Sequence, residues 1–219
     1  MDRDSHISSM VTTPSMTDST VNWEQKIQQS LTIHHQVLES AFHSLYSEVS
    51  SLAQIVQKLI FTLQSGHRVL VIGNGGSAAE AQHFASELVG RFKLERQPYA
   101  VIALTTDTSI LTAIANDYGY QDVFMRQVYA LGQPGDMLLV FSTSGESPNV
   151  LSAVHAAEHC HMQTVAITGT HTNQLAHLAQ LTVGVAQEDV ATIQEIHMVV
   201  THLLCDLTEA CLASQETPR

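Results

Sequence analysis

His83 and Glu87 stand four residues apart in a stretch free of Pro and Gly, the spacing that brings two side chains to one face of a helix. An imidazole and a carboxylate placed this way can chelate a divalent metal. A merely polar helix face has the same pattern, so the pair needs context. The Gly-rich turn Gly73-Asn-Gly-Gly-Ser77 just upstream supplies it, because such a turn carries a chain from a strand into a helix at the ligand-binding end of a sheet. A second polar cluster, Gln194, Glu195, His197 and His202, falls in a long apolar segment near the other end of the chain. At about 100° per residue, Gln194 and His202 stand ~80° apart and two turns distant, whereas Glu195 and His202 align better. Spacing does not choose among these residues, and His197 is a further candidate.

Ser142-Thr-Ser-Gly-Glu-Ser147 concentrates hydroxyls and a glycine, with Pro148 following. Ser147 suits a helix N-cap and Pro148 the first helical position. Free backbone N–H groups and the positive end of the helix dipole, joined by hydroxyls, can hold a phosphate without Lys or Arg. Gly73, Gly75 and Ala78 also match the glycine spacing of a dinucleotide turn. That reading requires an acidic residue at the end of the next strand, about 20 residues on. Here Leu104 leads into Thr105-Thr106-Asp107, well beyond that distance, and no Lys follows as in a nucleoside-triphosphate loop.

These residues need elements to place them. Arg68–Gly73, Tyr99–Leu104, Asp136–Phe141, Gln163–Thr168 and Leu181–Val185 read as buried strands. Helical stretches separate them, from Ala78 to about Val89, Ile110 to Asn116, about Gln121 to Leu131, Pro148 to His159, and about Val190 to Ala213. Continuous apolar strands alternating with helices imply an α/β fold, a parallel sheet of about five strands with helices on both faces. Residues 23–63 lack Gly and Pro and repeat apolar residues at helical spacing, which predicts one long helix or two consecutive ones suited to packing or oligomerisation. Met1 to about Val21 is rich in Ser, Thr, Met and Asp and is expected to be a disordered arm. Residues 22–219 then form a single domain with an N-terminal helical extension.

Apolar residues make up 44% of the 219-residue chain and charged residues 14%, with 9 basic against 21 acidic and a net charge of −12. Such a charge repels nucleic acid, and an anionic substrate would have to be held by local donors. No apolar run approaches the ~20 residues of a membrane span. Cys160, Cys205 and Cys211 form no CxxC motif and are expected to be reduced thiols in the cytoplasm. His155, His159 and His161 look metal-like, but they cluster at a helix C-terminus, where a surface imidazole suits the dipole.

The ordered set Gly73-Asn-Gly-Gly-Ser, His83-Phe-Ala-Ser-Glu-Leu, Ala115-Asn-Asp, Ser142-Thr-Ser-Gly-Glu-Ser and Ile193-Gln-Glu-Ile-His resembles the sugar isomerase (SIS) domain, and within it the phosphoheptose isomerases, from about Trp23 to Leu212. The resemblance implies a flavodoxin-like SIS fold and a cytoplasmic homotetramer with one zinc per subunit. The implied reaction interconverts sedoheptulose 7-phosphate and a heptose 7-phosphate. Implied substrate contacts are Asn74, Gly75, Gly76, Glu87, Asn116, Asp117, Ser142, Thr143, Ser144, Ser147 and Gln194, and implied metal ligands are His83, Glu87, Gln194 and His202.

Moving a proton between adjacent carbons through an enediol needs a base at carbon, a relay at oxygen and an electrophile. Glu87 is the expected base and His202 the relay. Arg91 is either a hydroxyl or carboxylate contact or a surface residue. Thr192 stands where the family commonly has Arg, which leaves the role of Asp189 open. The rival readings are a related non-catalytic adaptor that binds the replication initiator protein, and a SIS sensor of a sugar phosphate. The resemblance implies that the adaptor lacks counterparts of Glu87 and His202.

Overall fold

Short runs of Val, Leu and Ile bounded by Gly- and Ser-containing turns become strands. The computed structural model describes residues 21–215, so the expected disordered arm, apart from Val21, lies outside the described residues. The strands are β1 (Val69–Ile72), β2 (Val101–Ala103), β3 (Met137–Ser142), β4 (Gln163–Thr168) and β5 (Leu181–Gly184). All pair in parallel, in the order β2-β1-β3-β4-β5. The expected five-stranded parallel sheet is therefore present, with the strand order of flavodoxin-like folds.

The described chain divides between Gln36 and Val37 into two compact units. The first contains the opening turns of α1 (Trp23–Ser44), where Trp23, Ile27, Leu31 and Ile33 are all exposed. The second contains the sheet and its helices. The helical pattern over residues 23–63 resolves into two helices, α1 and α2 (Val49–Gln64), separated by a 3-10 turn at Leu45–Glu48. No Gly or Pro marks this break. Instead the Ser44 and Ser47 hydroxyls donate to the carbonyls of Ala41 (2.7 Å) and Ser44 (2.6 Å), and such back-bonding loosens the helical ladder.

Alternate strand residues face opposite ways. Val69, Val71, Leu139, Phe141, Val165 and Ile167 pack with α2, α3 (Gly76–Val89) and α8 (Val190–Ala213). Leu70, Ile72, Leu138, Val140 and Ala166 pack against α5 (Met125–Leu131) and α6 (Pro148–His159). α4 (Thr108–Asp117) and α7 (Gln174–Leu178) complete the helices.

Several boundaries differ from the sequence expectation. α3 starts at Gly76 instead of Ala78, and the edge strand β2 is shorter than Tyr99–Leu104. The segment expected to begin a helix at Gln121 opens as a 3-10 turn, Tyr120–Asp122, before α5.

α8 buries Ile193, Ile196, Val200, Leu204 and Leu212, a helical repeat aimed at the core. By length and composition it could cross a membrane, but half of its most apolar window is buried within the protein, as expected of a core helix. β1 and β3 are adjacent although the chain leaves one to visit β2 before reaching the other. The loops after β1 and β3 therefore meet at the topological switch point, where ligands bind such sheets.

Candidate active site

α3 and α8 bring three ligand-type side chains together. His83 Nε2 lies 2.9 Å from His202 Nε2 and 3.4 Å from Glu87 Oε1, and the donor atoms of all three fall within 4.8 Å of one another. Each side chain is partly buried, so the cluster is formed yet open to solvent. Two imidazoles and a carboxylate are the donor set zinc favours, and at bond lengths of about 2.0–2.2 Å neighbouring tetrahedral ligand atoms stand ~3.3 Å apart. The two His83 separations lie near that value, and the Glu87–His202 separation stays within 4.8 Å. The ring of Phe92 stacks on His202, with centroids 5.5 Å apart and 27° between planes.

The last helix sorts its polar residues. Its N-terminus is capped by Asp189, which accepts hydrogen bonds from the Thr192 N–H and hydroxyl, both at 2.8 Å. Asp189 is thus the N-cap of α8, and the Thr192 hydroxyl adds a second bond to the same carboxylate oxygen. Gln194 packs directly on the backbone of Gly76 at the start of α3, where any side chain at residue 76 would collide with its amide. It stands at the Gly-rich loop, about two turns from the level of His83 on α3. Glu195, which spacing aligned with His202, is exposed. His197 is fully buried, its Nδ1 3.3 Å from Glu80 Oε2, and it is not in the ligand cluster.

The two substrate-type loops are joined by side chains. Asn74 Nδ2 donates to Asn149 Oδ1 (2.9 Å) and Asn149 Nδ2 donates back to Asn74 Oδ1 (2.8 Å). Tyr120 adds its hydroxyl to Asn74 Oδ1 at 3.1 Å. In the second loop Ser142 Oγ accepts from the Gly145 N–H and Ser144 Oγ from the Glu146 N–H. Gly145 has φ +66° and lies against Asn173, a conformation and a closeness that suit glycine alone. Ser147 occupies the N-cap of α6 with Pro148 following, as the sequence suggested, but its hydroxyl makes no capping bond. Gly75, at the N-cap of α3, is exposed, and Thr143 is half-buried.

Asn116 and Asp117 are exposed at the end of α4 and bonded to each other at 2.8 Å. Among the described residues no hydrogen bond links them to either loop. Arg91 is a surface residue, 3.9 Å from Glu95. His155, His159 and His161 are exposed, as expected.

Sequence reasoning overlooked Phe92, Arg96, Asn149, Tyr120 and Glu209. Glu209 and Arg96 form a buried ion pair at 3.1 Å. Burial opposes the Glu209 charge, but N–H groups of Lys93, Phe92 and Leu94, with the Arg96 guanidinium, hold its carboxyl below the usual range. Burial, reinforced by the Glu87 and Glu209 carboxylates, pushes the Cys205 thiol far up. A signal for Glu209 was present, since it follows His202 by seven residues and so shares its helix face.

The SIS domain family matches residues 19–169. A phosphoheptose isomerase of Helicobacter pylori (strain P12) is 46% identical over 183 residues, covering 84% of this chain and 94% of that protein. This chain belongs to the phosphoheptose isomerase family. It is accordingly an enzyme, an isomerase of a sugar phosphate. The structure of a phosphoheptose isomerase from Francisella tularensis superposes with a TM-score of 0.80 at 35% identity, covering 84% of this chain and 98% of that one. One from Neisseria gonorrhoeae gives 0.77 at 37% identity over 85% and 98%. Phosphoheptose isomerases thus share both the sequence and the five-stranded fold of this chain.

Proposed function

We propose that the chain converts D-sedoheptulose 7-phosphate to D-glycero-D-manno-heptose 7-phosphate by metal-assisted proton transfer, in the heptose route to lipopolysaccharide or surface glycans. The observation that carries the metal-assisted part is the convergence of His83, Glu87 and His202 between α3 and α8. His83, Glu87 and His202 would hold zinc, one per subunit. Gln194, a further ligand by the resemblance, stands at the Gly-rich loop about two turns from His83 and serves the sugar end of the site instead. When bound, the ion supplies Lewis acidity to the carbonyl and neighbouring hydroxyl oxygens.

The chain's own residues divide the remaining work. Glu87 takes the proton from one carbon and returns it to the adjacent one, and His202 relays the proton between oxygens, as an imidazole near neutrality can. The hydroxyls of Ser142, Thr143, Ser144 and Ser147, with the N-terminus of α6, hold the terminal phosphate. Asn74, Gly75 and Gly76 receive sugar hydroxyls, joined by Gln194, Asn116 and Asp117.

The enzyme works as a cytoplasmic homotetramer in this reading. Exposed apolar side chains along the first turns of α1 support assembly, and free cysteines suit a reducing compartment. The adaptor and sensor readings would have no use for the His83–Glu87–His202 cluster. Incubating the purified, zinc-loaded protein with sedoheptulose 7-phosphate in D2O should yield an aldose phosphate by NMR, with deuterium at the carbon next to the carbonyl. No conversion by fully metal-loaded protein would overturn this assignment.

A further inference from the structure

A buried ion pair outside the proposed chemistry holds the loop that leaves the ligand helix. The side chains of Arg96 and Glu209 are each 1% exposed. Arg96 Nη2 donates to the Glu87 carbonyl at 2.8 Å, and Nη1 to the carbonyls of Leu88 (2.8 Å), Gly90 (3.0 Å) and Gln97 (3.0 Å). Its guanidinium lies over the Tyr99 ring, 4.2 Å from the centroid. Carbonyls in the last turn of a helix lack intrahelical partners, and a cation there also suits the dipole. Arg96 is therefore the C-terminal cap of α3, fastened at Glu87 itself.

Glu209, on α8, takes the other half of the fastening. Its oxygens accept from the N–H groups of Phe92 (2.8 Å), Lys93 (2.7 Å) and Leu94 (3.0 Å), besides Arg96 Nε. A buried ion pair is a weak source of net stability, since desolvation offsets much of its attraction. What directional charged hydrogen bonds do provide is fixed geometry. This pair joins the two helices that carry the ligand cluster, and the Phe92 whose N–H it holds lays its ring on His202.

We infer that Arg96 and Glu209 are positioning residues: they set α3 against α8 at Glu87 and, through Phe92, fix the rotation of the His202 imidazole so that Nε2 faces His83 and Glu87. The inference rests on the roles given above to Glu87 and His202. Orienting partners of this kind typically alter metal affinity or activity by about 10- to 100-fold when removed.

The test compares wild type, Phe92→Leu, Arg96→Lys and Glu209→Gln as full-length protein. It reads Co(II) affinity by competition with a chromogenic chelator, the visible Co(II) spectrum, and kcat and KM for sedoheptulose 7-phosphate. Phe92→Leu leaves the ion pair and its backbone bonds in place and removes only the aromatic face. It should weaken Co(II) binding or lower kcat by about 10-fold or more, shift the Co(II) bands, and change KM less than twofold. Arg96→Lys keeps the charge but loses the fork that spans several carbonyls, and should move the same readouts. If Glu209→Gln fails to fold, Arg96→Lys still decides the role of the ion pair, and Phe92→Leu tests the step that runs through the ring. Wild-type Co(II) spectrum, affinity and kcat in Arg96→Lys would refute the positioning role, and the same result in Phe92→Leu would refute its transmission through the ring. If wild type binds Co(II) but does not turn over the heptulose phosphate, the substrate reading fails, while an altered Co(II) site in Arg96→Lys still upholds the inference.

Discussion

The two halves of the candidate site are built on opposite plans. At the α3–α8 seam, side chains are fastened by buried charge: Arg96 and Glu209 grip the helix end, the loop and each other, and Phe92 rests on His202. At the loop after β3, the side chains mostly bond within a few residues, and the Ser147 hydroxyl makes no capping bond. The first half holds a few atoms at fixed separations, as proton transfer and metal binding require. The second presents N–H and O–H groups around a helix end, which is enough to hold a phosphate whose charge is spread over several oxygens. Damage to the first should appear in turnover, and damage to the second in affinity.

The largest effect is expected where the fastened half does its chemistry. Glu87→Gln and His202→Gln should each lower kcat by about 10²- to 10⁴-fold, with phosphate-dependent binding retained. Metal content measured on the same samples separates lost proton transfer from lost ligation. Near-normal turnover in a metal-loaded Glu87→Gln protein would falsify its role as base. A smaller and different change should follow Thr143→Ala combined with Ser147→Ala. Steady-state kinetics should show KM raised by about 10- to 100-fold, the worth of a hydrogen bond to a charged group, with kcat much less affected. A purely kcat effect would erase the contrast between the two halves.

Acid unfolding probes the fastening itself. Glu209 has its carboxyl held below the ordinary value of 4.5 in the folded chain. Its stabilising contribution is therefore complete above that value and is lost as pH falls through the lower, folded-state value. Below pH 4.5, wild type should lose stability more steeply with falling pH than Glu209→Gln, as followed by urea unfolding at a series of pH values. The slightest effect concerns thiols. Buried Cys205, its thiol pushed far up, should resist iodoacetamide at pH 8 in the folded protein, while the partly exposed Cys160 and Cys211 react. Mass spectrometry of the alkylated peptides would show it.

Much of this arrangement was legible before any coordinates. Gly73–Ser77 and Ser142–Ser147 announce themselves because few residue types make a strand-to-helix turn, and the strands are near-continuous apolar runs. His83 and Glu87 were legible because both lie on one helix. Gln194, Glu195, His197 and His202 were not separable by spacing, since which of them faces α3 depends on how α8 rotates in the core. The packing of Ile193, Ile196 and Val200 settles that, turning His197 inward to Glu80 and leaving Glu195 exposed. Arg96 lay in a charged stretch, Lys93-Leu-Glu-Arg96, that reads as a solvated loop. Its burial depends on Glu209, 113 residues away, and a long-range ion pair has no local signature. The helix break at Leu45–Glu48 was equally silent, because serine back-bonding uses residues that helices also tolerate.

The reciprocal amide pair of Asn74 and Asn149 has a consequence for binding thermodynamics. It joins the loop after β1 to the first turn of α6 by bonds that both amides share, so ordering either segment lowers the entropy cost of ordering the other. A ligand that fills only the phosphate end should therefore tighten the grip on a separate polyol fragment at the sugar end. Linkage requires the polyol to tighten phosphate binding by the same factor. The affinity of the whole substrate is then greater than its two ends, measured singly, would account for.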